Sequence, residues 1–430
     1  MQQRLKMSKP VLTLVIIIST CVLYALELFP IPVTTLLSVL ALTFSGVLTF
    51  TEAFSGFASA EMLLVIGLMI IVDALLESGL AGIIGRGLSK FAGKSENSFN
   101  VFLFVVGAVL SMFMTKTAMV ATFIPVVASI AKDSAGRITR KNTYMTLAAA
   151  ALVGGTGTLA ASTATLVASN ILESCGQRGM SFFEPLPVTL IVMAVVAVCY
   201  RLFIYRAQCR AFDFPETPDD NVENLPPEVN RRNAAVSGTI FAVCIVLFIV
   251  RPFNWELGLI AVSGALLTVL TGCIDGKKAM RNLKWSVLIT ICASLSIAKA
   301  FFNSGLGTII IDFLLEKLGD SASKPLVLLT FFLLSSYLLS TFMSTGALVP
   351  MLCSIAVPMA TGAGIDPMPI ALACVFGSTL TMLTPATTTS AAMVQIAGYR
   401  FKDFFRIGLL FGITALAATW LGIALVYGLF

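Results

Sequence analysis

Long apolar runs separated by short polar stretches cover most of this 430-residue chain. Many of them approach the roughly 20 apolar residues that a helix needs to cross a bilayer core of about 30 Å. They are continuous, whereas the strands of a membrane barrel alternate apolar and polar positions. The pattern therefore predicts an all-α polytopic membrane protein. The candidate spans are 11–29, 32–50, 61–77, 143–174, 185–205, 234–250, 256–272, 285–303, 368–397 and 404–428.

Composition supports lipid as the solvent for much of this surface. Hydrophobic residues make up 57% of the chain and charged residues 12%, whereas soluble domains carry about 25% charged residues. We expect an integral multi-pass protein of the plasma (inner) membrane. The net charge of +6 favours contact with membrane lipid over nucleic acid.

Enzymatic function is disfavoured by the residues that are missing. The chain has no histidine, which removes histidine metal ligands, general bases and proton relays. No Walker motif is present, so ATP hydrolysis by this chain is not expected. We predict that the protein is not an enzyme and carries no cofactor, apart from a coupling ion such as sodium.

One long polar segment, 207–233, divides the chain. It contains six acidic residues and four prolines, a composition typical of a solvated linker. We predict a first repeat at 1–206, a cytoplasmic linker at 207–233 and a second repeat at 234–430.

The two sides of this linker resemble each other in sequence. Four segments match in the same order, which is difficult to obtain by chance. They are LLESGLAGII (75–84) with FFNSGLGTII (301–310), FMTKTA (113–118) with FMSTGA (342–347), GGTGTLAASTAT (154–165) with FGSTLTMLTPAT (376–387), and SFFEPLPVTL (181–190) with KDFFRIGLLF (402–411).

Each half also contains interrupted apolar segments. Two short apolar arms flank a polar tip at about 99–131 and again at about 325–360. Each arm is too short to span comfortably, so each pair predicts a re-entrant hairpin. Polar breaks interrupt the spans at about 143–174 and about 368–397. Each half then crosses about five times, which makes the second repeat inverted, and inverted repeats with broken helices are typical of secondary transporters.

Basic residues test this topology. With the linker inside, most of the 28 Lys and Arg residues fall on the cytoplasmic side, as the positive-inside rule requires. The N-terminus, which carries Arg4, Lys6 and Lys9, falls outside and disagrees. Its side, and the exact number of spans, stay open at this point.

The hairpin tips and the breaks hold the candidate binding residues. Helix N-termini that point into a cavity offer unpaired N–H groups and positive dipole ends, so they favour an anion. Hydroxyl groups add donors, and no acidic residue lies in these segments. The candidates are Thr115, Lys116 and Thr117 in the first tip, Ser344, Thr345 and Gly346 in the second, and Ser162, Thr163, Thr384, Pro385 and Thr387 in the breaks.

Three charges lie within apolar runs, where charged groups are functional candidates. Lys116 lies at the first tip, which we expect near the bilayer midplane. Asp73 and Lys299 each precede the repeated Ser-Gly-Leu by five residues. These two could pair with each other or extend toward the membrane surface, so they are weaker candidates than Lys116.

These residues resemble the divalent anion/sodium symporter family, within the wider group of citrate and arsenite permeases. Thr115-Lys116-Thr117 and Ser344-Thr345-Gly346 match the family's two Ser-Asn-Thr tips, and Gly154-Gly155 and Thr384-Pro385 match its breaks. The resemblance spans nearly the whole chain. It implies a homodimer, an elevator-like movement of hairpins and broken helices, and dicarboxylate, citrate or sulfate as substrate. It also implies sodium sites near Thr115, Ala161, Ser344 and Thr384.

This sequence departs from the family at positions that matter for ion binding. Neither tip has the family's Asn, and the first break lacks its Pro-Pro-Asn. Lys116 stands at the Asn position of the first tip. Our hypothesis is that its ammonium replaces a bound cation or pairs directly with a substrate carboxylate. Coupling would then use fewer sodium ions, a proton, or exchange.

The sequence therefore favours a secondary active transporter of small anions, with di- or tricarboxylates as the expected substrates. An arsenite- or sulfate-type permease of the same architecture remains an alternative. A cation/proton antiporter is another, and it would need a titrating carboxylate such as Asp73. A subunit of a larger permease assembly is a further possibility.

Overall fold

A computed structural model describes most of the chain. The described residues are 8–26, 28–78, 95–134, 136–159, 161–214, 230–250, 255–283, 285–306, 324–341, 345–383 and 388–430. All regular structure within them is helical, and none of them lies in a strand. The predicted all-α class is therefore confirmed.

The first half builds ten helices from its described residues. A π-helical turn at Tyr200–Ile204 joins the last two. The helices are α1 (Lys9–Leu26), α2 (Ile31–Phe44), α3 (Phe50–Phe54), α4 (Ala60–Glu77), α5 (Glu96–Ser111), α6 (Lys116–Asp133), α7 (Arg140–Gly154), α8 (Thr163–Ser174), α9 (Leu186–Cys199) and α10 (Tyr205–Ala211).

The second half follows the same order over its described residues. As in the first half, pairs of longer helices alternate with short helices, and the long helix Phe401–Val426 comes last. The helices are α11 (Arg231–Val250), α12 (Leu257–Leu270), α13 (Gly276–Asn282), α14 (Trp285–Asn303), α15 (Pro325–Ser340), α16 (Thr345–Gly362), α17 (Pro367–Thr379), α18 (Thr389–Met393) and α19 (Phe401–Val426).

Several of these helices suit a bilayer by length and composition. Within the described chain, four segments are long and apolar enough to cross one: Phe50–Leu75, Leu186–Ala211, Arg231–Val250 and Phe401–Val426. Shorter apolar helices accompany them. Large side chains such as Leu270 and Val250 are 80% and 64% exposed, which water would penalise and lipid does not. The chain is a polytopic membrane protein.

A tight turn after α2 recurs after α12. Gly46 and Gly272 both have φ of 73°, in the left-handed region that glycine adopts without steric cost. Thr49 then caps α3 by accepting a hydrogen bond from the Glu52 N–H, and Asp275 caps α13 by accepting one from the Lys278 N–H. The two halves thus share a local structure that the matched motifs did not include.

The two halves also make reciprocal contacts. Helix α4 packs on α12, and α14 packs on α2. The Lys278 ammonium of α13 lies 2.8 Å from a Glu77 carboxylate oxygen at the end of α4. Glu52 of α3 accepts a hydrogen bond of 3.2 Å from Asn303 at the end of α14. A two-fold relation between two copies produces such reciprocal contacts. The inverted orientation of the second repeat in the membrane stays a prediction.

The carboxylate of Glu96 fixes the base of the first hairpin. Its Oε1 accepts hydrogen bonds from the backbone N–H and the hydroxyl of Thr139, at 2.7 and 2.6 Å. Its Oε2 accepts one from Asn142 at 3.0 Å and one from the Tyr205 hydroxyl at 2.6 Å. Helix α5 is therefore tied to α7 and to α10 by one side chain.

The linker prediction needs a correction at its start. Residues 207–211 continue α10, and Gln208 and Phe212 are fully buried instead of solvated. The Phe212 ring lies 4.9 Å from Tyr399, and the Lys141 ammonium donates to the carbonyls of Phe212 and Phe214 at 3.2 and 3.0 Å. Aromatic packing thus binds this polar-looking segment to the core. Helix α11 starts within the predicted linker, at Arg231, and residues 215–229 lie outside the described part.

An ion pair holds the loop between α8 and α9 against the end of α19. Arg178 donates two hydrogen bonds to Glu184, at 2.9 and 2.8 Å. The Tyr427 hydroxyl donates to Glu184 at 3.1 Å. The Arg178 guanidinium lowers the pKa of the Glu184 carboxyl to about 2.

This shift sets the pH dependence of the interaction. Because the folded-state pKa lies below the ordinary value of 4.5, the contact stabilises the fold above that pH and is lost as the pH falls toward about 2. We expect Glu184→Gln to lower the apparent unfolding temperature at pH 7. The difference in unfolding temperature between the wild type and this variant should narrow as the pH is lowered to 3. Thermal unfolding in detergent measures it, with the exposed Glu256→Gln as control. A difference in unfolding temperature that stays constant with pH would contradict the assignment of this pH dependence to the Glu184 carboxyl.

Candidate functional site

The first hairpin turns at four residues between α5 and α6. Helix α5 ends at Ser111, and Thr115 caps α6 by accepting a hydrogen bond of 3.3 Å from the Ala118 N–H. Both helices pack on α7. Thr115, Lys116 and Thr117 therefore lie at the start of α6, all of them partly exposed. The helices fall where the hairpin at about 99–131 was predicted.

The first break separates α7 from α8. Helix α7 ends at Gly154, and α8 begins at Thr163 after Ser162, whose side chain accepts a hydrogen bond from the Ala164 N–H. Ser162 is 5% exposed and Ala161 is 3% exposed. The predicted interruption within 143–174 thus corresponds to two helices and an irregular segment that is largely buried.

Glycines let the tip and the break touch. A Cβ on Gly155 would lie 2.6 Å from Cγ of Lys116, and one on Gly157 would lie 2.5 Å from Cγ of Met112. The Thr158 hydroxyl donates to the Met112 carbonyl at 2.5 Å. The aliphatic stem of Lys116 therefore lies directly on the broken segment, which joins two of the predicted binding segments.

The second hairpin is attached to its own broken helix by hydroxyl groups. The Ser340 and Thr345 hydroxyls both donate to the Ser378 carbonyl, at 2.7 and 3.2 Å. Helix α17 ends one residue later, at Thr379, and Thr388 caps the short α18 that follows the break. Thr345 and Gly346 thus lie at the start of α16, beside the end of α17.

The same hairpin-to-helix contact occurs in both halves. Ser111 donates to the Ala151 carbonyl at 2.9 Å, and Ser336 donates to the Cys374 carbonyl at 2.6 Å. A Cβ on Gly377 would lie 2.6 Å from the Leu333 carbonyl oxygen, as a Cβ on Gly154 would clash with a carbonyl of α5. Each hairpin therefore packs on its broken helix through a serine and a glycine.

The two halves meet through the restarted helices. Helix α8 packs on α16 and α17, and α18 packs on α6. Each segment that follows a break therefore contacts the second helix of the opposite hairpin. This arrangement brings both hairpins and both broken helices into one packed body.

The predicted site residues divide into two groups. The structure places the first group at the tips and breaks: Thr115, Lys116, Thr117, Ser162, Thr163, Thr345 and Gly346. The second group, Ser344, Thr384, Pro385 and Thr387, lies outside the described residues.

The electrostatics of the described tips and breaks favour an anion. Lys116 is the ionisable side chain among residues 112–118, 155–159, 161–162, 345–346 and 380–383. Helices α6, α8 and α16 also begin there, and helix N-termini carry partial positive charge. The described segments thus present an ammonium, dipole ends and hydroxyls without a carboxylate.

Buried polar atoms next to the breaks were missed by sequence reasoning. Within the part of the chain that the structure describes, the hydroxyls of Thr165 and Thr379 and both amide atoms of Asn170 have no hydrogen-bond partner. These three residues are at most 3% exposed. Buried polar groups without partners are rare in proteins and call for an explanation. A single hydroxyl or amide within an apolar run forms no sequence pattern, so the sequence did not indicate these residues.

The charges at Asp73 and Lys299 behave differently from Lys116. The Lys299 ammonium donates to the Ser55 hydroxyl at 2.8 Å. It therefore forms a hydrogen bond between the two halves. Asp73 lies on α4, in the body formed with α12.

Comparison with known proteins identifies relatives. A family model described as "Citrate transporter" matches residues 15–377. The uncharacterized transporter YfbS of Escherichia coli is 39% identical over 167 residues, which cover 38% of this chain and 26% of YfbS. An uncharacterized transporter of Methanocaldococcus jannaschii is 23% identical over 94% of this chain and 90% of its own length.

One relative has a named substrate class. The sodium-dependent dicarboxylate transporter SdcS of Staphylococcus aureus is 23% identical over 65% of this chain and 60% of SdcS. Among solved structures, the YdaH transporter of Alcanivorax borkumensis superposes with a TM-score of 0.65 at 15% identity, covering 98% of both chains. MtrF of Neisseria gonorrhoeae gives 0.59 at 16% identity over 87% of this chain and 83% of its own. These superpositions support the fold.

The contact between Lys116 and Gly155 can be tested by a double-mutant cycle. We expect Gly155→Ala to destabilise the protein by about 1–3 kcal/mol, the usual cost of overpacking, because its Cβ meets the lysine stem. The cost should fall when Lys116→Ala removes that stem. Thermal or denaturant unfolding measures both. Gly346→Ala is the control, since no atom lies within 4 Å of its added Cβ. Additive effects of the two changes would show that the residues do not touch.

Proposed function

The chain belongs to the citrate transporter family and is a membrane transporter, not an enzyme, and from this premise we propose that it is a secondary active transporter of small anions. Di- and tricarboxylates are the proposed substrates. The observation that carries the proposal is the packing of Lys116 on Gly155, which joins a cationic hairpin tip to a broken helix.

Lys116 is the proposed contact for a substrate carboxylate. Its stem is supported by the break, and its charge lies where α6 begins. An ammonium and a helix N-terminus both favour a negative group. The hydroxyls of Thr115, Thr117, Ser162 and Thr163 would add donors from the same two segments, and Thr345 and Gly346 would complete the site from the second hairpin. Ser344, Thr384, Pro385 and Thr387 are proposed site residues on sequence grounds.

Sodium is one proposed coupling ion, with protons or exchange as the others. Carbonyl and hydroxyl oxygens near Thr115, Ala161, Ser344 and Thr384 would hold it, since unwound backbone can coordinate such a cation. The unpaired hydroxyls of Thr165 and Thr379 are further oxygens near the breaks. The name of SdcS, a sodium-dependent dicarboxylate transporter, also supports this coupling. At the first tip, the Lys116 ammonium is proposed either to replace one cation or to bind substrate.

Alternating access would move one packed body against another. Hairpins and broken helices form one set of contacts, and α2, α4, α12 and α14 form another, with α14 also packing on α8 and α16. We propose an elevator-like displacement of the first set against the second. A homodimer in the plasma (inner) membrane is the proposed setting.

The central test is uptake by the purified chain in proteoliposomes. We expect Lys116→Gln to reduce carboxylate uptake at least tenfold or to change its sodium dependence, because the variant keeps a polar side chain, one atom shorter, but loses the charge. A thermal-shift screen of succinate, citrate, malate, sulfate and arsenite, each with and without sodium, identifies the ligand beforehand, since a bound ligand raises apparent stability.

The matched control is Lys132→Gln, which removes an exposed lysine at the far end of the same helix. It should leave uptake unchanged. Normal uptake and normal sodium dependence in both variants would refute the role of Lys116. An Asp73→Asn variant with abolished transport, combined with proton-driven cation exchange, would instead favour an antiporter.

A further inference from the structure

Helix α11 is the least covered of the four long apolar helices. Only 17% of its apolar window is buried inside the protein, against 33–50% for the other three. At its start, Arg231 and Arg232 are exposed. At its end, Ile249 and Val250 are 63% and 64% exposed, and Trp255 follows at 42%. The helix therefore exposes an apolar surface along its length, with a basic end at Arg231 and Arg232.

A groove runs along this helix from the basic end. Its floor is made of small side chains one turn apart, Ala234, Gly238 and Ala242, and it encloses about 590 Å³. A second cavity of about 270 Å³ lies between α11 and α12. Thr239, Val243 and Leu247 line both cavities and form the ridge between them.

Helix α12 packs closely on α11 beside the second cavity, whereas the described residues that line the first groove all belong to α11. A Cβ on Gly264 would lie 2.4 Å from the Cys244 sulfur, so the two helices touch at this level. The groove is lined almost wholly by apolar atoms and small side chains. From Ala234 to Leu247 it extends roughly 20 Å, at 1.5 Å per residue, which is long enough for an acyl chain in one leaflet, roughly 15 Å deep.

Positive charge collects where the groove begins. The Cys273 thiol donates to the Asn233 carbonyl at 3.9 Å, which places the turn before α13 beside the start of α11. Lys277 and Arg281 of α13 are exposed. The neighbouring Lys278 is paired with Glu77. Among the described residues, by contrast, the two arginines of α11 and these two cations form no ion pair.

We propose that this surface binds an anionic phospholipid. The phosphate lies against Arg231 and Arg232, because guanidinium groups bind phosphate oxygens in pairs. Lys277 and Arg281 add attraction for the same headgroup. One acyl chain lies in the groove over Gly238 and Ala242. Basic residues at the membrane surface beside an apolar groove are the features by which proteins select charged lipids.

A second copy of the chain fits this surface less well than a lipid does. Two copies in one membrane, related by an axis along its normal, would bring the arginine ends of both α11 helices to the same level. Four guanidinium groups, which form no ion pair within the described part of the chain, would then repel each other. A lipid phosphate neutralises them instead.

The test uses the full chain in nanodiscs of phosphatidylcholine alone or mixed with phosphatidylglycerol. We expect phosphatidylglycerol to raise the apparent unfolding temperature of the wild-type protein. Arg231→Gln/Arg232→Gln should lose most of this rise. The control Lys402→Gln/Arg406→Gln removes two exposed charges at the start of α19, away from the groove, and should keep the rise.

A third variant fills the groove without changing the charge. No atom lies within 4 Å of a Cβ added to Gly238, so Gly238→Leu should fold normally in phosphatidylcholine and yet lose the lipid-dependent rise. The proposal is overturned if the arginine variant and its control keep the same rise, or if Gly238→Leu keeps it. It is also overturned if Gly238→Leu converts a dimer to a monomer without any lipid effect. None of these measurements requires transport, so they stand apart from the proposed function.

Discussion

Backbone groups freed inside an apolar environment must find partners, and this requirement governs the core of the protein. A helix that breaks in lipid or in a dry core leaves carbonyls and N–H groups unpaired, at about 1–3 kcal/mol each. Here hairpin hydroxyls supply partners. Ser340 and Thr345 both donate to the Ser378 carbonyl near the end of α17. Ser111 donates a second hydrogen bond to the Ala151 carbonyl of α7, which also accepts one from the Gly155 N–H. A broken helix and its hairpin therefore form one unit.

Close approach is the second condition for this unit, and glycine meets it. At Gly154, Gly155 and Gly377 the neighbouring chain lies where a side chain would begin. Substitutions there would separate the hairpin from the helix and also break the hydroxyl bonds. The hairpin tips and the breaks are thus held together by packing and by hydrogen bonding. Both interactions fix the position of Lys116 at the first tip.

Hydropathy and the repeated motifs predicted the helices, the hairpins and the breaks because each of these features changes the polarity of several consecutive residues. The predicted start of the linker, at residue 207, was wrong, because Phe212 and Phe214 pack on Tyr399 although charged residues lie next to them in the sequence. The contacts of Glu52 with Asn303 and of Glu77 with Lys278 were not predictable, because unlike residues occupy equivalent positions. The unpaired Asn170 was missed for a different reason, since a lone amide in an apolar helix carries no pattern.

The fixed charge of Lys116 would affect the energetics of the transport cycle in a way that a dissolved ion would not. A sodium ion can leave its site on either side of the membrane, whereas in the proposed elevator-like cycle the lysine ammonium would stay attached to the moving part of the protein. In an alternating-access cycle its charge travels with the empty carrier as well as with the loaded one. Each elementary charge that crosses the field is worth about 2.3 kcal/mol per 100 mV. The membrane potential would then act on the return step of the unloaded protein, while a bound carboxylate would cancel that effect on the loaded step.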